Sequence, residues 1–111
     1  MDVEPFEGKL LGLFELDDEG KVLYCSLESP EGSMKREAAY EGSNFFTNVA
    51  SFSNVDDFQR RFELFRVGDS RSNSFQLNCK YADCSQLVRV VMARLTAESI
   101  PTSYLVHFRR T

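Results

Sequence analysis

Ser74-Phe75-Gln76-Leu77-Asn78-Cys79-Lys80-Tyr81 is the stretch that decides the fold. Phe75, Leu77, Cys79 and Tyr81 alternate with Ser74, Gln76, Asn78 and Lys80. That period of two belongs to a half-buried antiparallel strand. Downstream, Ala82-Asp83-Cys84-Ser85 turns the chain, and the same period resumes from Gln86 to Leu95. Val88, Val90 and Met92 form one face there; Leu87, Val91, Ala93 and Leu95, interrupted by Arg89, form the other. Thr96 to Pro101 reads as a loop. Tyr104 to Arg109 is then the last strand, with Tyr104, Val106 and Phe108 on one face and His107 opposite.

Upstream the period changes to that of a helix. Val55, Phe58, Phe62 and Phe65 recur at intervals of three, four and three between Ser53 and Gly68, which lines them on one stripe. Asn54 is placed to cap this helix, Asp56, Asp57 and Arg66 suit its dipole, and Gly68 stops it. Before it, Leu11 to Leu16 and Lys21 to Leu27 flank Asp17-Asp18-Glu19-Gly20, a hairpin signature. Glu28 to Ser33 is a breaker-rich loop around Pro30 and Gly32, and Met34 to Tyr40 reads as a two-turn helix ended by Gly42. Residues 1–10 show no periodicity and form a lead-in to a domain over residues 11–111. The order of elements predicts an α+β domain: a five-stranded antiparallel sheet with helices packed on one face. The opposite face carries Leu87, Val91, Ala93, Leu95 and Leu105. An apolar patch of that kind calls for a cover: the N-terminal segment, a flanking helix or another subunit.

Composition excludes several classes. The chain has 111 residues, enough for one domain, and its 42% hydrophobic content is too high for disorder. No run of about 18 apolar residues occurs, so no membrane span is expected. The acidic start lacks the basic region of a secretory signal, which points to the cytoplasm. Residues 1–31 hold nine acids and two bases, against eight and eleven in residues 32–111. The net charge of −4 and the scattered bases Lys35-Arg36, Arg60-Arg61, Arg89, Arg94 and Arg109-Arg110 argue against nucleic acid as a partner. Cys25, Cys79 and Cys84 are odd in number and lack CxxC spacing; with His107 as the sole histidine, neither a disulfide framework nor a metal site is expected. No carboxylate pair, thiol–base pair or phosphate-cradling loop points to catalysis, so an enzyme is not expected.

The strand order resembles that of PAS domains, and the residues resemble the photoactive yellow protein branch of that family. Asp18 to Ser26 resembles the PAS opening, and Gly42-Ser43-Asn44-Phe45-Phe46-Thr47-Asn48-Val49-Ala50 the stretch leading to the chromophore site. The likeness continues through Phe58, Phe62, Phe75, Tyr81, Val88-Arg89-Val90, Met92, Tyr104, Val106 and Arg110. It runs without a gap from Leu16 to Leu95, with a few extra residues in the final hairpin. The resemblance implies bacterial-type signal transduction by small-ligand sensing or protein–protein interaction. It also implies a cavity lined by Cys25, Ser29, Ser33, Phe45, Val49, Phe52, Cys79 and Tyr81.

Departures from that branch are as telling. Its p-coumaroyl thioester cysteine falls on Phe52, and its chromophore-holding tyrosine, glutamic acid, threonine and arginine fall on Cys25, Ser29, Ser33 and Lys35. A buried phenolate needs short, charge-stabilising hydrogen bonds, which Cys25 and Ser29 supply weakly. Neither the covalent chromophore nor another cofactor is expected. Flavin-binding PAS domains carry a reactive cysteine motif and haem-binding ones a helix-borne histidine, and neither occurs here. Two other readings stay open: a ligand-free module that pairs with itself or a signalling partner through Leu87, Val91, Ala93, Leu95 and Leu105, and an unrelated small lipid- or metabolite-binding α+β domain.

Overall fold

In the chain's first hairpin, β1 (Gly12–Leu16) and β2 (Val22–Glu28) pair antiparallel across the acidic turn. Asp17 Oδ1 accepts from the N–H groups of Glu19 (2.9 Å) and Lys21 (2.8 Å) and so closes the turn on itself. Gly20 sits at φ 86°, and a Cβ there would drive into the Phe46 ring, so the turn needs glycine twice over. The coordinates are a computed structural model describing residues 10–29 and 31–111. Residues 1–9 of the expected lead-in lie outside them, while Leu10 is a core residue only 1% exposed.

Met34 to Tyr40, expected as a short helix, divides in two. Met34–Arg36 is a strand, β3, on the outer edge of β2, and only Ala38–Tyr40 makes a single 3₁₀ turn. Two helical turns gain too few hydrogen bonds to repay nucleation, whereas β2 offers an open row of backbone partners; Glu37 N–H donates to Cys25 C=O at 2.8 Å. The sheet therefore has six strands instead of five, and the α+β class stands.

Next, Phe45–Val49 forms one π-helical turn. Asn44 Oδ1 accepts from Phe46 N–H and Thr47 N–H, and its amide donates to Glu19 C=O, which fastens the turn to the first hairpin. Helix α1 (Val55–Val67) buries Phe58, Phe62 and Phe65 against the sheet. Asn54 precedes it but makes no side-chain cap. Its amide donates to Asn78 C=O (2.9 Å) and accepts from Lys80 N–H (3.0 Å), pinning the helix start to the edge of β4 (Ser72–Lys80).

Strands β5 (Ser85–Ala97) and β6 (Ile100–Arg110) extend through the expected 96–101 loop, leaving only Glu98 and Ser99 to turn. Ser99 takes φ 67°, the left-handed conformation that so short a turn demands. Strand order is β3-β2-β1-β6-β5-β4, antiparallel throughout. Eight of the nine phenylalanines among the described residues are buried, and they supply most of the core's bulk. Phe45 sits at their centre: edge-on to Phe14 (4.9 Å) and Phe58 (5.5 Å) and stacked on Phe108 (5.7 Å).

The C-terminal end of α1 is closed from an unexpected direction. Arg94, one of the scattered bases of the sequence, lies at an inward position of β5. Its guanidinium donates to the carbonyls of Phe65 (2.6 Å), Gly68 (3.0 Å), Arg66 and Ser70. A fixed cation thus meets the carbonyls that the last helical turn leaves unpaired. Arg66, which suited that end by position, pairs with Glu63 at 2.7 Å. Among the described residues no helix is long and apolar enough to cross a membrane.

Candidate functional site

Two regions of this fold carry candidate residues: the interior around Phe52 and the outer face of the sheet. Cys25 reaches the interior from β2 and Cys79 from β4, because both occupy inward positions of their strands. Phe45 and Val49 come from the π-helical turn, Phe52 from the segment before α1, and Tyr81 from just past β4. These six belong to one buried cluster, Tyr81 at its margin. Phe52 is 2% exposed, its ring edge-on to Tyr81 (centroids 6.1 Å apart) and tilted against Phe108 (6.3 Å). Ser29 and Ser33 lie apart from them. They face each other across the turn between β2 and β3, hydroxyls 2.9 Å apart, with Ser33 exposed.

The interior holds its ionisable groups neutral. Burial raises the Cys25 thiol to about 12, helped by the negative charges of Glu37 and Glu41. Burial likewise raises Cys79 to about 12, against a hydrogen bond from Tyr81 that pulls the other way. The Tyr81 phenol, also pushed to about 12 by burial, accepts from Leu10 N–H at 2.9 Å. Protonated thiols of this kind are poor nucleophiles and poor metal ligands. Nearby, on β5 opposite Cys79, Gln86 buries its Oε1 without a hydrogen-bond partner among the described residues. Among the described residues no three metal-ligating side chains gather.

On the outer face, register sets the side chains in rows. Arg109 pairs with Arg89; the next row runs Leu13, His107, Val91, Ser74, and the next Glu15, Leu105, Ala93, Ser72. Leu87 stands beyond the arginines, 44% exposed, and Leu95 at the other end, 39% exposed; Val91, Ala93 and Leu105 are half-buried. All five apolar residues singled out from the sequence thus share one face. Glu15 accepts from the Ser103 hydroxyl at 2.7 Å, and an open groove lined by Glu15, Arg71, Arg94, Leu95, Pro101 and Ser103 lies at that end. His107 sits at mid-face, its pKa lowered by burial first and by Arg109 second. The pairing of Arg89 with Arg109 escapes a reading of the sequence, since it depends on the length of the β5–β6 turn. The inward position of Arg94 was within reach, since it continues the parity of Val88, Val90 and Met92; its carbonyl partners were not.

No family model matches the sequence, and no curated protein matches it. Among solved structures, the chain is similar to the photoactive yellow protein domain of the sensor histidine kinase Ppr from Rhodospirillum centenum. The likeness covers 99% of this chain and 94% of that one, with a TM-score of 0.62 at 21% sequence identity. The chain has the PAS fold. Six strands, one long helix and the short turns before it thus form a PAS-type core, with α1 on one side of the sheet and the Leu87–Leu105 face on the other.

Proposed function

We propose that this chain is a PAS-type signal-transduction domain that acts through protein–protein contact on the outer sheet face, its interior closed by its own aromatic side chains. One observation carries the reading: a fold shared over 99% of the chain with a domain of a sensor kinase, with Phe52 buried against Tyr81 and Phe108. In this reading the chain is neither a catalyst nor a covalent p-coumaroyl photoreceptor. Phenylalanine has no nucleophile with which to form a thioester, and Cys25 and Cys79 are protonated. The domain works in the cytoplasm, and its net charge of −4 disfavours nucleic acid as partner. Small-ligand sensing is the second reading, favoured by the Gln86 Oε1 beside Cys79, which has no partner among the described residues and which a ligand's N–H or O–H group would satisfy.

Native mass spectrometry of the freshly purified chain separates the two. The expected mass is that of polypeptide alone, in one copy or more. A retained small molecule would put ligand sensing in its place. Incubation with activated p-coumaric acid is expected to leave the intact mass unchanged, and a stable adduct would refute the non-covalent reading.

A further inference from the structure

We infer that the free edge of β4 is a docking site built to receive an extended, acidic segment of another protein as a seventh strand. The edge lies apart from the outer sheet face, and its role does not depend on that face. The two edges of the sheet contrast. At one, β3 has three residues and carries Lys35 and Arg36, the short, charged form in which sheets protect an edge. At the other, β4 runs nine residues, paired with β5 without a register shift. From Ser72 to Asn78 it has no charge, no proline and no bulge.

Register determines which backbone groups are open. Just before β4, Arg71 C=O accepts from Arg94 N–H on β5 at 2.8 Å, so odd-numbered residues face the neighbouring strand. Even-numbered ones face outward: Ser53 and Asn54 take up the C=O of Asn78 and the N–H and C=O of Lys80. The N–H and C=O groups of Ser72, Ser74 and Gln76, all exposed residues, have no partner among the described residues. A row of this kind is what strand addition uses.

The chemistry beside the edge selects the segment. A groove of about 210 Å³ between α1 and β4 is lined by Arg61, Leu64, Phe65, Gly68, Ser70 and Asn73. Small-molecule pockets begin at roughly 300 Å³, so this one suits the side chains of a strand. Leu64 is 66% exposed there, and the Arg61 guanidinium lies 4.5 Å from the centroid of the Phe75 ring. An added strand turns every second side chain to the α1 side. One opposite Phe75 meets Arg61, and one opposite Asn73 meets Leu64. Around the edge stand Arg61, Arg71 and Lys80, none with a carboxylate within ion-pair distance among the described residues. Against them are Asp69 and an Asp57 that already pairs with Arg60 at 3.7 Å. The excess is positive, so an acidic residue belongs beside Arg61 and an apolar one beside Leu64. A second copy, paired edge to edge about Ser74, would bring its own Arg61 up to the first, and charge disfavours it.

The blocked heptapeptide Thr-Val-Thr-Glu-Thr-Val-Thr reads the same in both directions and so fits either strand orientation. Titrated into the isotope-labelled full chain to about 1 mM, it should shift the amides of Ser72, Ser74 and Gln76 and slow their hydrogen exchange. The amides of Asn73, Phe75 and Leu77, already bonded to β5, should not respond in this way. Arg61→Glu should weaken this peptide at least about tenfold and strengthen the version with Lys in place of Glu. Ser74→Pro removes one outward N–H, which an edge strand tolerates, and should abolish binding with the circular dichroism unchanged. Equal response of the two amide sets, or equal affinity for the Glu and Lys peptides, would overturn the proposal. So would the absence of any shift, and so would protection of the outward amides that grows with the concentration of the chain alone, which would give the edge to a second copy.

Discussion

Phe52 is buried in the interior without a polar atom to offer, and its contacts with Tyr81 and Phe108 are all packing. Truncating so large a buried side chain removes its transfer energy and leaves a cavity that surrounding rings only partly fill. Phe52→Ala should therefore cost about 3–5 kcal/mol, read from the urea midpoint at constant slope. A loss well below 1 kcal/mol would mean that the ring is not packed there. The sequence, through its resemblance, set Phe52 among residues lining an interior cavity, and the structure buries it there. Ser29 and Ser33 were not legible in this way. A resemblance places residues along a chain, whereas the turn they occupy points their hydroxyls at each other.

Helix α1 is held at both ends by side chains from strands. Its Phe stripe could be read directly, because spacing alone determines which face a helix buries. Its end contacts could not, since they cross 24 to 29 residues of sequence. Asn54 serves the edge of β4 instead of the helix that follows it, and Arg94 caps that helix from β5 while lying over the Phe65 and Tyr104 rings. A lysine has one compact head in place of the planar fork and cannot serve four carbonyls at once. Arg94→Lys should cost about 1–3 kcal/mol in urea unfolding, with faster amide exchange in the last turn of α1. A variant as stable as its parent would show that these carbonyls need no fixed cation. The edge strand β3 marks the opposite limit: residues 34–36 have helical propensity, and the open edge of β2 overrides it.

At the scale of the molecule, one aromatic interior ties thiol chemistry to stability. Cys25 and Cys79 rise from 9.0 to about 12 on folding, and Tyr81 from 10.0 to about 12, all chiefly through burial. The folded chain keeps these protons while the unfolded chain releases them. Their contribution to stability is thus complete below pH 9.0 and is lost as the pH climbs toward about 12. The urea midpoint should fall steadily over that range, and a flat profile would contradict the burial of these groups. The overall architecture was legible because a change of period from 3.6 to 2 is a whole-element signal. The sixth strand, the helix caps and the paired arginines were not, because each is set by which strands become neighbours.

The central claim is that the interior at Phe52 is filled by the chain's own rings, and NOE spectroscopy of the purified protein tests it most directly. The account predicts cross-peaks joining the Phe52 ring protons to those of both Tyr81 and Phe108, whose centroids lie 6.1 and 6.3 Å away. Absence of those cross-peaks, with Phe52 protons instead coupled to resonances of a bound compound, would contradict it.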